Sequence, residues 1–182
     1  MKICVFCASS NNVGEPYVSA VKELGREIGS RGHDLVFGGY DTGLMGAVSH
    51  AVKEAGGKVF GVIPEDVRGF SSRKVFNCDE VFEVPDISRR KDKMMNLSDA
   101  YISAPGGLGT MDELFEALVE QKLTSGKKKP IALYNVSGCY ELIEKSILDM
   151  SSRQFVPQPD LDLFFTSSDA KEIVDNLERL VK

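Results

Sequence analysis

Apolar residues along the chain alternate between two patterns. Short, nearly continuous apolar runs fall at Lys2–Ala8, His33–Phe37, Lys58–Ile63, Glu80–Val84, Asp99–Ala104, Pro130–Tyr134 and Leu163–Phe165, each of strand length. Between them lie stretches with helical spacing. Glu15–Ser30 carries Val18, Val21, Leu24, Gly25 and Ile28 on one face, and further helices are predicted from Thr42, as cap, to Ala55, over Ile87–Ser98, up to Leu123, over Gly138–Ser151 and over Ser168–Leu180. Gly56-Gly57, the turn Ser125–Lys129 and the proline-bearing loop Gln154–Leu161 punctuate them. Strands alternating with helices predict an open α/β sheet, mostly parallel, with helices on both faces. Glu65–Cys78 is irregular and reads either as a mobile loop near a site or as a solvated connection.

Two of the strand-to-helix connections are rich in glycine. Pro105-Gly106-Gly107-Leu108-Gly109-Thr110-Met111-Asp112-Glu113 follows the fifth strand, and Gly38-Gly39-Tyr40-Asp41-Thr42-Gly43-Leu44-Met45-Gly46 follows the second. Glycines let a backbone bend sharply and approach a ligand. The free N–H groups that begin a helix carry partial positive charge and suit a phosphate. Neither loop matches G-x-G-x-x-G after a first strand, and no G-K-[ST] occurs, so a dinucleotide fingerprint and a Walker loop are both unsupported. The later loop also has a purely structural reading: Thr110-x-x-Glu113 spells a capping box, in which the threonine caps the helix and the glutamate reaches back. Glu113, Glu116 and Glu120 share one helical face and Met111, Leu114, Phe115 and Leu118 the other, which leaves Glu113 either lining a cleft or facing solvent.

The helix before this loop opens with Arg89, Arg90, Lys91 and Lys93. Positive charge at a helix N-terminus opposes the macrodipole, a local conflict that points either to function or to a solvated basic face. Ser9-Ser10-Asn11-Asn12 lies at the carboxyl end of the first strand, where ligands bind in parallel sheets.

Composition narrows the classes. The 182 residues fit one domain, 42% of them hydrophobic and 27% charged. A net charge of −5 argues against a nucleic-acid-binding surface. No apolar run approaches a membrane span, and Met1–Cys7 is too short for a signal peptide, so a cytoplasmic protein is expected. Cys4 and Cys7 form C-x-x-C, but strand residues three apart face opposite sides, and His33 and His50 are isolated. No zinc site, other metal site or disulfide is expected.

Ser88-Arg89-Arg90-Lys91-Asp92-Lys93-Met94 followed by Pro105–Glu113 resembles the Lonely Guy (LOG) family, which carries an arginine-lysine-x2-methionine helix and P-G-G-x-G-T-x-x-E. The Gly38–Gly46 stretch resembles the family's earlier glycine loop, and the likeness runs from Ile3 to Phe155. The resemblance implies a Rossmann-like fold, a homodimer, and cleavage of the N-glycosidic bond of a nucleoside 5′-monophosphate to free base and ribose 5-phosphate, the step that activates cytokinins in plants. Members are also labelled lysine decarboxylases, although nothing here calls for a pyridoxal-phosphate site, and no cofactor is implied. By position, the resemblance makes Arg90 and Glu113 the catalytic pair. It makes Gly106, Gly107, Gly109 and Thr110 the phosphate cradle, and Ser9, Ser10, Gly39, Gly43 and Lys91 join them as candidate substrate or phosphate contacts. A non-catalytic nucleotide or molybdenum-cofactor carrier of the same fold is the alternative. The chain departs from the family at Ser88, where histidine is common, in lacking tryptophan, at Leu118-Val119, and over Glu65–Asn77; most of these fall around the base and ribose.

Overall fold

A computed structural model describes residues 1–65 and 74–181. Seven strands, β1 (Lys2–Phe6), β2 (Asp34–Phe37), β3 (Val59–Pro64), β4 (Glu80–Val84), β5 (Ala100–Ser103), β6 (Ile131–Tyr134) and β7 (Phe164–Ser167), form one sheet in the order β4-β3-β2-β1-β5-β6-β7. Every pairing within it is parallel, as continuous apolar strands separated by helices require. The helices are α1 (Glu15–Ser30), α2 (Gly43–Glu54), α3 (Ile87–Leu97), α4 (Leu108–Leu123), α5 (Glu141–Ser152) and α6 (Ala170–Val181). The chain winds outward from β1 through β2, β3 and β4, then returns to lay β5 on the other side of β1. That reversal opens a crevice at the carboxyl ends of β1 and β5, the usual ligand position in open α/β sheets.

Alternation along β1 divides the core in two. Ile3, Val5 and Cys7 pack with Val21, Leu24 and Ile28 of α1, Val48 of α2 and Ile173 of α6. Cys4 and Phe6 pack on the opposite face with Met94 of α3, Leu114 of α4, Tyr101 and Tyr140. Cys4 and Cys7 therefore lie on opposite faces, and all four cysteines are free.

The boundaries differ from the expected ones where local hydrogen bonds intervene. A 3-10 turn at Val136–Gly138, with Ser137 at φ 53°, delays α5 to Glu141. Another at Gln158–Leu163 occupies the expected loop and the start of the last strand, and β7 runs on through Thr166 and Ser167. Thr42 holds the cap position of α2, but its hydroxyl makes no cap bond and is buried without a partner among the described residues. Most of the irregular segment after Glu65 lies outside the described residues. Lys74–Cys78 returns to the carboxyl end of β2, where Phe76 N–H bonds to Gly39 O at 2.9 Å and Lys74 Nζ reaches Asp41 at 2.8 Å. Among the described residues, no helix is long and apolar enough to cross a membrane.

α1 and α2 approach closely because Gly25 faces the second helix: a Cβ there would lie 2.7 Å from Ala51 Cβ and 2.8 Å from the Val48 carbonyl. Leucine favours helix, so Gly25→Leu isolates the steric effect. It is expected to lower stability by about 1–3 kcal/mol or more through overpacking, read as a fall in the urea midpoint; an unchanged midpoint would show that the two helices part without cost.

Candidate active site

The crevice holds a pocket of about 270 Å³, lined by Cys7, Ala8, Ser9 and Ser10 after β1, Met45 of α2, Arg90 of α3, and Gly107, Leu108, Gly109, Thr110 and Glu113 of α4. Four segments far apart in sequence thus meet at one end of the sheet.

The first turn of α4 forms one wall. Gly107 is the residue before the helix, in an extended conformation, and Met111 N–H closes the first turn onto Gly107 O at 3.0 Å. This placement removes the capping box: Thr110 lies inside the helix, and Glu113 turns away from the helix start toward Arg90. The glycines divide into two kinds. A Cβ on Gly106 would sit 2.1 Å from Thr110 Oγ1, so Gly106 is required by the turn itself. A Cβ on Gly107 or Gly109 would meet no atom of the described residues within 4 Å. Both line the pocket, so the space kept clear there belongs to whatever occupies it. Helix-initial N–H groups open to a cavity suit an anion.

The floor is an ion pair. Arg90 Nη2 donates to Glu113 Oε1 at 2.6 Å, and the two residues are only 6% and 4% exposed. Arg90 Nε is also buried and has no partner among the described residues. Burial pushes the Glu113 carboxyl up to about 7, against the opposing pull of the Arg90 guanidinium. A carboxylate that titrates near neutrality beside a fixed cation is suited to proton or charge chemistry. The reversed charge at the start of α3 is therefore resolved by one local and one tertiary partner: Asp86 caps the helix by accepting from Arg89 N–H at 2.8 Å, and Arg90 turns inward to Glu113 of α4.

Lys91 is placed differently from the other candidates. It bonds Asp112 at 2.8 Å and pairs with Glu116, staying on the α3–α4 contact outside the pocket lining. Gly39, at φ +82°, packs against Ile63, where a Cβ would lie 2.6 Å from Ile63 Cγ1. Gly43, at φ +52°, sits so close to Ser10 that a Cβ would lie 2.4 Å from its carbonyl oxygen, and its N–H bonds to Asn11 Oδ1 at 2.7 Å. The earlier glycine loop thus shapes the Ser9-Ser10 wall from behind, while Ser9 and Ser10 face the pocket. Cys7, Ala8, Met45 and Leu108 also line it. The position of Cys7 and Ala8 at a strand's carboxyl end, and of Met45 within the glycine loop, were the available signals. Among the described residues, no three His, Cys, Asp or Glu side chains gather as a metal site would need.

An anion-suited helix start facing a buried arginine–glutamate pair, at the switch point of the parallel sheet, defines the class: a Rossmann-like α/β protein with a charged pocket at the carboxyl ends of its strands. A family model described as "Possible lysine decarboxylase" matches residues 45–177. The chain is 38% identical over 182 residues to a probable cytokinin riboside 5′-monophosphate phosphoribohydrolase of Oryza sativa subsp. japonica, covering 99% of this chain and 78% of that one. It is also 38% identical over 179 residues to a cytokinin riboside 5′-monophosphate phosphoribohydrolase of Arabidopsis thaliana, covering 97% and 77%. The molybdenum cofactor carrier protein of Chlamydomonas reinhardtii has a similar fold, with a TM-score of 0.76, 24% identity, and coverage of 99% of this chain and 97% of that one. The chain belongs to the Lonely Guy family of phosphoribohydrolases, hydrolases of N-glycosyl bonds.

The raised Glu113 carboxyl makes a linkage prediction. Its ordinary value is 4.5 and its folded value about 7, so the fold holds this proton more tightly than the unfolded chain does. The stability this confers is complete below pH 4.5 and is lost as pH rises through 7. Glu113→Gln removes that loss, so its stability relative to wild type should improve between pH 4.5 and 7.5, measured by urea unfolding at each pH. Parallel profiles would mean that Arg90 keeps the carboxylate ionised throughout.

Proposed function

We propose that the protein hydrolyses the N-glycosidic bond of a nucleoside 5′-monophosphate, either AMP or an N6-modified adenine nucleotide such as a cytokinin riboside monophosphate, to free base and ribose 5-phosphate. The observation that carries this is the buried Arg90–Glu113 pair on the floor of the pocket that the open glycines of α4 wall. The substrate named for the plant relatives agrees with it.

In this pocket the 5′-phosphate rests against the N–H groups of Gly107, Gly109 and Thr110, with Ser9 and Ser10 opposite. The ribose then lies over Glu113. As the bond from C1′ to the base nitrogen breaks, its electron pair leaves with the base, and positive charge spreads over C1′ and the ring oxygen, as in sugar hydrolysis. The Glu113 carboxylate meets that charge, whether by electrostatic stabilisation, by attack on C1′ or by activating water. Water supplies hydroxide to C1′ and a proton to the base, which balances the reaction. Arg90 holds the carboxylate in place and opposes its protonation.

Family membership supports a homodimer, and α4 offers a surface for it. Leu108, Phe115, Val119 and Leu123 fall on one side of the helix and are exposed at 91, 38, 54 and 74%. The expected mass by light scattering is twice 19.9 kDa, falling to the single-chain value in a Val119→Asp, Leu123→Asp double variant. A single-chain mass for the wild type would rule the dimer out.

The activity is tested by incubating the protein with AMP and with its N6-isopentenyl analogue and measuring ribose 5-phosphate. Cleavage of at least one is expected. Glu113→Gln should cut turnover by about 10²–10⁴-fold while nucleotide still binds. Nucleotide binding without cleavage by the wild type would make the protein a carrier or sensor; two solved proteins of similar fold are a molybdenum cofactor binding protein and a molybdenum cofactor carrier protein.

A further inference from the structure

The backbone leading into the glycine wall slips by one residue against its neighbour strand. Ala104 N–H donates to Phe6 O at 2.9 Å. An unbroken parallel ladder would then give the Ala104 carbonyl to Ala8 N–H. Ala8 N–H instead bonds to Pro105 O, at 3.0 Å. The Ala104 carbonyl, at a fully buried residue, is left to find a partner outside the sheet.

Tyr140 supplies that partner. Its hydroxyl donates to Ala104 O at 2.8 Å. A phenol has one proton, so the 2.7 Å contact between Ser103 Oγ and the same hydroxyl is a bond that Ser103 donates. Tyr140 is 1% exposed, and its own N–H donates to Asn135 Oδ1 at 2.8 Å, which fixes the ring at the entrance to α5. Pro105 adds a further restraint, because its ring sets its own φ and keeps Ala104 extended. The two peptide carbonyls ahead of Gly106 are thus pinned from opposite sides, one by Tyr140 and the other by β1.

We infer that Tyr140 is a positioning residue for the phosphate wall. It does not line the pocket, and it acts by holding the Ala104–Pro105 peptide so that the N–H groups of Gly107, Gly109 and Thr110 converge on one point. Ser103 supports it by orienting the hydroxyl. This inference rests on the phosphate-binding part of the function proposed above.

Tyr140→Phe removes only the hydroxyl and leaves a buried carbonyl unpaired. Loss of an interaction that positions a remote binding group raises KM and leaves kcat largely unchanged. The expected result is a rise of about tenfold in KM for the nucleotide and in the Kd for inorganic phosphate measured by calorimetry, with kcat within about twofold of wild type. Ser103→Ala, which leaves the Tyr140 bond to Ala104 in place, should change the same constants by about threefold. It also keeps the test open if Tyr140→Phe does not fold. Unchanged phosphate affinity and KM in folded Tyr140→Phe, with only a lower melting temperature, would reduce Tyr140 to a core hydrogen bond. Unchanged constants in Ser103→Ala would remove Ser103 from the role. Phosphate affinity is read without turnover, so this result stands apart from the hydrolase assay. If the wild type itself fails to bind phosphate, the phosphate wall fails and Tyr140's role with it.

Discussion

Burying a guanidinium and a carboxylate where α3 and α4 meet is the constraint on which the site depends. Each ion costs several kcal/mol to remove from water, and the pair repays this only if its geometry is held. Arg90 and Glu113 meet at 2.6 Å, but Arg90 Nε is unpaired among the described residues, and burial has lifted the Glu113 carboxyl toward neutrality. The balance is therefore unfavourable to the fold and is offset elsewhere. Asp86 caps α3 against its own cationic first turn. Lys91, bonded to Asp112 and Glu116, ties the same two helices together one residue along, at the protein's surface. Met94 and Leu114 bury the helices against the sheet. These contacts over-determine the separation of α3 and α4, so a strained pair can persist between them.

The two glycine loops serve one pocket in different ways. The loop before α4 presents Gly107 and Gly109 to the cavity, with no atom of the described residues in front of either. The loop before α2 uses its glycines for close packing, with Gly39 against Ile63 and Gly43 against Ser10, and offers the cavity only Met45. Similar glycine spacing thus produces a pocket-facing wall in one case and a supporting wall in the other. The difference lies in what stands opposite each glycine, which is a property of the assembled sheet.

Much of this was legible from the order of residues. The strand-to-helix alternation specified a parallel sheet, because βαβ crossovers demand it. The P-G-G-x-G-T-x-x-E stretch, with the arginine-lysine helix before it, pointed to Arg90 and Glu113, which the fold brings together at 2.6 Å beside the pocket. Opposite faces for Cys4 and Cys7 followed from strand periodicity alone. Other readings failed where a local pattern had a tertiary competitor. Thr110-x-x-Glu113 satisfies the spacing of a capping box, yet the helix begins earlier, at Leu108, and Glu113 prefers a buried cation to a backbone N–H. Phe115, grouped with the apolar face, stays 38% exposed, because α4 turns Leu114, Ala117 and Gln121 fully inward and Phe115 away from them.

By itself, then, the sequence determined the elements, their parallel order, and which glycine-rich stretch would open a helix with a carboxylate one turn in. These depend on periodicity, on glycine's missing side chain and on helix ends, all local in the chain. Tertiary structure alone decided that Arg90 would be buried on Glu113 while its neighbour Lys91 stayed on the helix–helix contact, that Gly43 would support and not line the pocket, and that Tyr140 would take the carbonyl ahead of the glycine wall. Each of these pairs groups that lie 21 to 36 residues apart in the chain or, for Gly43 and Ser10, on separate elements. Their meeting is set by strand register and by the reversal of winding at β1, which no local pattern encodes.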